Sequence, residues 1–360
     1  MNQTMADIRH FKDSWDAKLF GLNLDNKIFE VLVNTVETNT SVLQKFYELK
    51  KTMLKLKSMH LYDTSVPMIE NNHEYTIDEA QKITLNAVKP LGQDYVNKFK
   101  KIFDNHYIDY CQYKGKCSGG YSFATSTNDS RILMSYTGNF DSVSTIAHEG
   151  GHNVHHQYVK ENNPLAYRET SSLVAEVASL TNECLLSNYL KNNGATKTEK
   201  LVGLENIINV INSNLFGAVR EGKMEQNMYD VVKNDGTLTN DYLNDLTLKS
   251  LKKYYGKTIK LDDYSALSWV RRSHYYMHFY LYSYAICISV ATNVASKIIA
   301  GDSTMLTNYL AFLKQGSDVW PSDAFKVLGI DLTKPEVYQN AINYYQTLIT
   351  EFKEIATKEA

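Results

Sequence analysis

The chain has little of the residues that interrupt helices. Only 5 prolines and 17 glycines occur among 360 residues, so tight turns are few and a mainly helical fold is expected. A strong net charge is also missing. The formal charge is −2, which argues against nucleic acid as a partner, because that role favours a basic face. Hydrophobic residues make up 43% of the chain, enough to bury a sizeable core.

Cysteines and targeting segments are scarce too. The four cysteines, at positions 111, 117, 184 and 287, are scattered, and no pair has C-x-x-C spacing. We therefore expect reduced thiols in a cytoplasmic protein. The first twenty residues carry charges throughout and lack the apolar core of a secretory signal. The longest apolar run, residues 279–300, contains Ser, Thr, Asn and Lys, so we expect a buried core helix and no membrane span.

Three segments with different residue patterns follow one another along the chain. Residues 1–105 have apolar residues three and four apart, which predicts successive amphipathic helices, with Thr76 as one N-cap. The next segment, up to residue 140, is rich in Gly, Ser and Thr and holds a strand-like run, RILMSY, at 131–136. A helical pattern resumes at Asp141 and continues almost to the end. We predict one domain over 1–360, formed by a helical N-terminal region (1–105) and a second region (106–360).

The sequence HEGGH at 148–152 is the motif that most clearly indicates a catalytic metal site. On a helix, His148 and His152 are one turn apart and point the same way, so both can bind one tetrahedral zinc ion. This is the HExxH signature of zinc proteases, in which zinc lowers the pKa of a water, Glu149 takes its proton and the hydroxide attacks a carbonyl. Its two glycines weaken a helix and suggest close packing or room for substrate.

A third ligand is sought downstream, where residues 169–186 predict a second helix. Glutamates at 169, 176 and 183 are spaced by sevens on one face, beside apolar residues. We choose Glu176 as the ligand, assign Glu183 to orienting a histidine and regard Glu169 as too early. His155 is on the same face as His148 and is expected to support a ligand, to face substrate or simply to be buried. His156 is expected at the surface.

Several segments together resemble the M3 family of zinc metallopeptidases, and within it the oligoendopeptidase F group. The resemblance rests on HEGGHNVHH followed by AEVASLTNE, on the preceding YKGKCSGGY and RILMSYTGNF, and on SWVRRSHYYMHFYLYSYA near residue 280. It implies a zincin-like, mainly α catalytic domain with a small β-sheet next to the metal helix. It also implies one Zn²⁺ per chain and short peptides as substrates. The near-neutral charge and the polar residues in the longest apolar run make us expect no nucleic-acid or membrane partner.

Site residues carry over from this resemblance position by position. His148, His152 and Glu176 match the zinc ligands, and Glu149 matches the general base. His274 matches a functional histidine of the tyrosine-rich segment. Tyr284 is expected to donate a hydrogen bond to the oxyanion, with His274 assisting it or holding substrate. The residues expected to contact substrate are Tyr280, Tyr282, Gly119, Gly120 and Tyr121. Core packing is the alternative for the tyrosines, above all for Tyr282.

The glycine-rich segment suggests how a peptide could bind. Gly119 and Gly120 remove side chains, so a peptide backbone can approach closely. RILMSY is then expected to be an edge strand that pairs with the substrate main chain. Such pairing would give broad sequence tolerance.

Two departures from the family pattern leave alternatives open. Family members carry a further N-terminal region, so this chain could have an open site, a partner chain that supplies the region, or no activity. Gly150 replaces a bulky apolar residue, and the lost packing could loosen the metal helix. We favour a zinc endopeptidase acting on internal bonds of oligopeptides. The alternatives are a fragment that binds peptides without turnover and a zinc amidase or carboxypeptidase.

Overall fold

The computed structural model describes residues 1–358 of the chain, and it is mostly helical. Long helices form because apolar residues recur every three or four positions over segments that contain few prolines. The helices are α1 (Asn2–Ile8), α2 (Ser14–Leu22), α3 (Asn26–Thr38), α4 (Thr40–Met53), α5 (Ile77–Ala87), α6 (Gln93–Asp104), α7 (Phe140–Asn162), α8 (Ser172–Asn193), α9 (Lys197–Ile211), α10 (Ala218–Lys233), α11 (Asn240–Tyr255), α12 (Leu281–Ile299), α13 (Ser303–Phe312), α14 (Pro321–Val327) and α15 (Pro335–Thr357).

A small three-stranded sheet occupies the glycine-rich segment, as the resemblance implied. Its strands are β1 (Ile108–Asp109), β2 (Gly120–Phe123) and β3 (Arg131–Met134). The order is β1-β3-β2, with β1 parallel to β3 and β2 antiparallel to it. The strand predicted in RILMSY is confirmed, but its expected edge position is wrong. Strand β3 is the central strand, because β1 pairs with one side of it and β2 with the other, so β1 and β2 are the two edge strands.

The chain divides into two compact units. The first unit comprises Met1–Met68, Asn209–Ile286 and Leu332–Lys353. The second unit comprises Ile69–Ile208, Cys287–Asp331 and the described residues 354–358. The prediction of a single domain over 1–360 stays a prediction.

In the second unit, α7 and α8 pack against each other, and α5, α6, β2 and β3 pack on α7. Polar caps set where these helices begin. Thr76 and Glu79 form a capping box at α5, which confirms the predicted cap, and Asn139 caps α7 by accepting from the backbone N–H of Ser142. Ser171 caps α8 in the same way. Glu169 therefore precedes the helix that carries Glu176.

The core of the first unit is rich in aromatic rings. Trp15 packs edge-on against Phe29 and Phe279, with ring centroids 4.5 Å and 4.7 Å away. Between α9 and α10, residues Asn212–Gly217 form a π-helix. One wider turn of this kind often accompanies a functional site, because it redirects side chains without ending the helix.

Helix α12 confirms the expectation for the apolar run at 279–300. Its residues are almost wholly buried, among them Ile286, Cys287, Ile288 and Val294 at 0% exposure. Within residues 1–358, no helix combines the length and apolar character needed to cross a membrane.

Candidate metal centre

Helix α7 places the two histidines of HEGGH side by side. His148 and His152 are four residues apart, so one turn separates them and their imidazole centroids lie 5.0 Å from each other. Their side chains are 24% and 14% exposed, so both rings are mostly buried but reachable. One face of the helix therefore presents two nitrogen ligands.

Helix α8 supplies a carboxylate to the same point. Oε2 of Glu176 lies 3.5 Å from Nε2 of His148 and 3.5 Å from Nε2 of His152. Donors about 2.1 Å from a tetrahedral ion are about 3.4 Å apart, so these separations fit a zinc ion bound between them. Within residues 1–358, this is the one group of three or more His, Cys, Asp or Glu side chains arranged to hold a metal.

Glu183 binds the His148 ring on the side opposite the metal position. Its Oε1 accepts a hydrogen bond of 2.6 Å from Nδ1 of that ring, and its Oε2 accepts one of 3.2 Å from Ser144. The amide of Asn206 donates in turn to the Ser144 hydroxyl at 3.0 Å. A proton on Nδ1 leaves the Nε2 lone pair directed at the metal position, which is how carboxylates commonly orient metal-binding histidines.

The charges at this point favour a cation. Burial lowers the pKa of His148, but the hydrogen bond and charge of Glu183, with the charges of Glu176 and Glu149, raise it to about 10. Burial raises the pKa of Glu176, but the hydrogen bond and charge of His152, with His148, lower it to about 2. The carboxylates are thus arranged to stabilise positive charge. Bound zinc would replace the proton on Nε2 of His148, while the proton on Nδ1 stays in the hydrogen bond to Glu183.

Two polar residues of α8 that sequence reasoning missed complete the centre. The hydroxyl of Ser179 donates to Oε2 of Glu176 at 3.0 Å, one helical turn further on. The amide of Asn182 donates to the backbone carbonyl of Ala147 at 3.0 Å and fastens α8 to α7. The three-residue spacing of Ser179 from Glu176 was a usable signal. No local signal pointed to the contact of Asn182.

The general-base candidate lies under the edge strand. Glu149 is 6% exposed, and a Cβ atom on Gly120 would lie 3.4 Å from its Cγ and 2.7 Å from Cγ2 of Thr145. Only a glycine lets β2 cross α7 this closely. Gly120 and Ser122 alternate with the exposed Tyr121, which fits a strand with one covered face. Gly119 precedes the strand with a φ of +91°, a conformation that glycine adopts readily.

The two glycines of HEGGH serve close packing. A Cβ atom on Gly150 would lie 2.2 Å from Cζ of Phe99, because that ring occupies the space a side chain would need. The expectation that Gly150 loosens the helix by lost packing is therefore wrong. A Cβ atom on Gly151 would lie 2.8 Å from both the Ala178 carbonyl oxygen and the Ser179 Cα atom. This glycine lets α8 approach α7 closely enough to deliver Glu176.

The remaining histidines of α7 make no contact with the ligand set. His155 is fully buried near Phe312, and neither ring nitrogen has a hydrogen-bond partner among residues 1–358. Burial, and then the neighbouring imidazoles of His156 and His152, lower its pKa to about 3. This placement favours the buried alternative for His155. His156 was expected at the surface but is partly buried, with Nδ1 3.3 Å from the hydroxyl of Ser130.

The tyrosine-rich residues lie in the first unit. The ring of His274 is 6.4 Å from that of Tyr280 and 6.0 Å from that of Tyr284, and the two tyrosine rings are 5.1 Å apart. Burial, and then the charge of Arg272, lower the pKa of His274, which favours the neutral form of its imidazole. The three rings thus form one cluster at the start of α12.

Tyr282 lies outside that cluster, and the structure contradicts the prediction that it contacts substrate. It is 1% exposed and packs in the aromatic core, with its ring 5.3 Å from that of Phe29. Its neighbour on α10 is Gly222, where a Cβ atom would meet the Tyr282 ring at 3.0 Å. Alternate tyrosines on a helix point about 200° apart, so Tyr282 turns inward where Tyr280 and Tyr284 do not.

Comparison with known proteins shows the family. The model of Peptidase family M3 matches residues 1–344, and the chain belongs to that family. Oligopeptidase PepF of Bacillus subtilis strain 168 is 30% identical over 354 residues, covering 98% of this chain and 53% of that protein. The oligoendopeptidase F homolog of Borreliella burgdorferi is 31% identical over 362 residues, covering 98% of this chain and 60% of that one.

Solved structures agree on the fold. A protein structure from Chlamydophila abortus matches with a TM-score of 0.89 at 29% identity, covering 98% of this chain and 60% of that one. Oligoendopeptidase-F from Enterococcus faecium matches with a TM-score of 0.77 at 24% identity, covering 99% and 58%. This chain thus spans between half and two thirds of its relatives. Each curated relative holds the matching region within one longer polypeptide, so the comparisons do not support the alternative in which a partner chain supplies the further N-terminal region.

Proposed function

We propose that this chain is a zinc-dependent endopeptidase that hydrolyses internal bonds of short oligopeptides. One observation carries the proposal: side chains from two helices bring a carboxylate oxygen within 3.5 Å of two imidazole nitrogens. Membership of peptidase family M3 supports the reaction class, and the names of its relatives support oligopeptides as the substrate class. The cytoplasmic location expected from the cysteines stays a prediction.

His148, His152 and Glu176 would hold the single Zn²⁺. When bound, zinc supplies Lewis-acid chemistry that acidifies water and polarises the scissile carbonyl. Glu183 keeps the proton of His148 on Nδ1 through their 2.6 Å hydrogen bond, so Nε2 stays available.

Glu149 would move the proton in the reaction. It follows His148 directly on α7 and is 6% exposed, so its carboxylate is largely shielded from bulk water. We assign to it removal of a proton from the attacking water and delivery of that proton to the leaving amine. Tyr284 would donate a hydrogen bond to the oxyanion, with His274 beside it and Tyr280 as the second candidate donor.

Strand β2 would position the peptide. Its outer edge offers backbone N–H and C=O groups that have no strand partner among residues 1–358. A peptide adding to this edge would gain main-chain hydrogen bonds that depend little on its sequence. Tyr121 is 56% exposed on this strand and is the side chain we expect to meet the peptide.

The test is cleavage of a short internally quenched peptide by the purified chain, with and without a zinc chelator. We expect cleavage that the chelator abolishes and added zinc restores, and Glu149→Gln should bind zinc but lose turnover. Cleavage that resists the chelator would contradict the proposal. A folded, zinc-loaded chain that binds but never cleaves would favour the alternative of peptide binding without turnover. Mapping the cut separates an endopeptidase from an obligate carboxypeptidase.

A further inference from the structure

A cavity of about 660 Å³ in the first unit is lined mainly by polar side chains. The π-helix Asn212–Gly217 forms one side of its wall and turns Asn212, Ser213 and Asn214 towards it. Arg220 and Arg272 line the same space. None of these five residues has a role in the proposed chemistry, so a different function is sought for them.

Arg220 is a buried cation with unused hydrogen-bond donors. It is 7% exposed, and its Nη2 donates to the carboxylate of Glu221. Its Nε and Nη1 have no hydrogen-bond partner among residues 1–358. A buried guanidinium whose donors lack acceptors leaves its positive charge only partly compensated, and this charge beside the cavity favours an anion there.

The charges of the cavity wall do not balance. Glu221 is the only carboxylate in the described lining, and it serves Arg220, the phenol of Tyr275 and, at 3.4 Å, Arg272. Two guanidinium groups therefore share one carboxylate. The Arg272 side chain is 41% exposed, so it can turn to a ligand while keeping its backbone in place. A net positive wall with amide donors suits a small planar anion.

We propose that this cavity binds a carboxylate of the peptide substrate, contacted by Arg272 and by the amides of the π-helix. Arg220 supplies the buried positive charge behind it. The carboxylate is either the peptide's C-terminus or an Asp or Glu side chain, because both present the same group. The inference rests on the proposed function for the ligand being a peptide, but binding is measured without turnover.

The experiment uses the zinc-loaded Glu149→Gln chain, so that no peptide is cleaved, and isothermal titration calorimetry. Three versions of one short acetylated peptide are compared: a free C-terminus, a C-terminal amide, and the amide with one Asp added. We expect at least one carboxylate version to bind about tenfold tighter than the plain amide. A gain for the free acid identifies the C-terminus, and a gain for the Asp version identifies a side chain.

Adding Arg272→Gln should remove that preference and leave binding of the plain amide unchanged. Lys249→Gln is the matched control, since it removes one positive charge from the exposed face of α11 in the same unit. If Arg272→Gln fails to fold, Asn214→Asp should weaken carboxylate binding by adding a negative charge to the wall. Equal affinities for all three peptides, no measurable peptide binding, or equal effects of the Arg272 and Lys249 changes would overturn the inference. Chelator-sensitive cleavage together with equal affinities would overturn this inference while the proposed function stands.

Discussion

Glu183 and His148 are joined by a 2.6 Å hydrogen bond between Oε1 and Nδ1, and this pair links α8 to α7 at the metal position. The carboxylate fixes the ring and increases its basicity, so it acts on zinc affinity without touching the ion. The same helix supplies Glu176, seven residues earlier. One helix thus provides both a ligand and the support of another ligand.

Glu183→Gln should therefore weaken zinc binding about tenfold to a hundredfold, because the amide can keep the contact but loses the negative charge. Competition with a chromophoric chelator measures the affinity. Glu169→Gln is the control, since Glu169 belongs to the same series spaced by sevens but is exposed and precedes α8. Equal zinc affinities for the Glu183 and Glu169 variants would show that the hydrogen bond does not support the metal.

Gly151→Ala should destabilise the second unit. The added methyl would lie 2.8 Å from backbone atoms of Ala178 and Ser179, and overpacking of this kind costs about 1–3 kcal/mol. Chemical denaturation measures the free energy of unfolding. Gly21→Ala in α2 is the control: a Cβ atom there meets nothing within 4 Å, so better helix propensity should stabilise by up to ~1 kcal/mol. A stabilising effect at both glycines would contradict the close approach of α8 to α7.

Glu225 should make stability depend on pH. Burial raises its pKa to about 7, against which the backbone N–H of Phe279 and the charge of Lys18 lower it. Its Oε2 has no hydrogen-bond partner among the described residues. Since the folded-state pKa is raised, the unfolded chain releases this proton first. Its contribution to the unfolding free energy is therefore full below about pH 4.5 and falls, by up to about 3 kcal/mol, as pH rises to about 7.

Glu225→Gln should remove that decline, because the amide oxygen can still accept from Phe279 but carries no proton to lose. Urea denaturation at several pH values between 4.5 and 7.5 follows the difference from the parent chain. Glu48→Gln, an exposed position on α4, provides the comparison and should leave the pH dependence as it is. A Glu225 variant whose stability falls as steeply as that of the parent would rule out a raised pKa.

Tyr284→Phe should lower kcat by about 10²–10³ with little change in KM, because an oxyanion hydrogen bond forms mainly in the transition state. Steady-state kinetics on the quenched peptide measures both constants. Tyr282→Phe is the paired control, since it removes a hydroxyl that is buried in the core without a hydrogen-bond partner among residues 1–358. A change in KM alone would make Tyr284 a substrate-binding residue. Equal losses of kcat in Tyr284→Phe and Tyr282→Phe would contradict the assignment of Tyr284 as the oxyanion donor.

The site residues that follow helical spacing could be predicted from the sequence. His152 follows His148 by four residues. The glutamates at 169, 176 and 183 share one helix face beside apolar residues, and Glu169 comes too early in that segment, which leaves Glu176 as the predicted ligand. The cap at Thr76 and the core helix at 279–300 rested on equally local patterns, and the structure agrees with both.

Features that depend on contacts distant in sequence could not be predicted. The sequence predicts an edge position for β3 because the pattern of RILMSY does not indicate pairing on both sides, with Ile108 in β1 and with β2. The space beside Gly150 is filled by Phe99, about fifty residues earlier, and the sequence pattern around Gly150 does not indicate that contact. Helical spacing separates Tyr282 from Tyr280 and Tyr284, but only the packing of Trp15 and Phe29 against Tyr282 shows which of the two faces is buried.

The central claim is that His148, His152 and Glu176 together hold one zinc ion. The most direct measurement is zinc content after equilibrium dialysis, determined by mass spectrometry for the parent chain and for Glu176→Ala. The account predicts one zinc per parent chain and almost none in the variant, with both chains folded by circular dichroism. Zinc retained at one per chain in Glu176→Ala would contradict it and would move the third ligand elsewhere, with Glu183 as the first candidate.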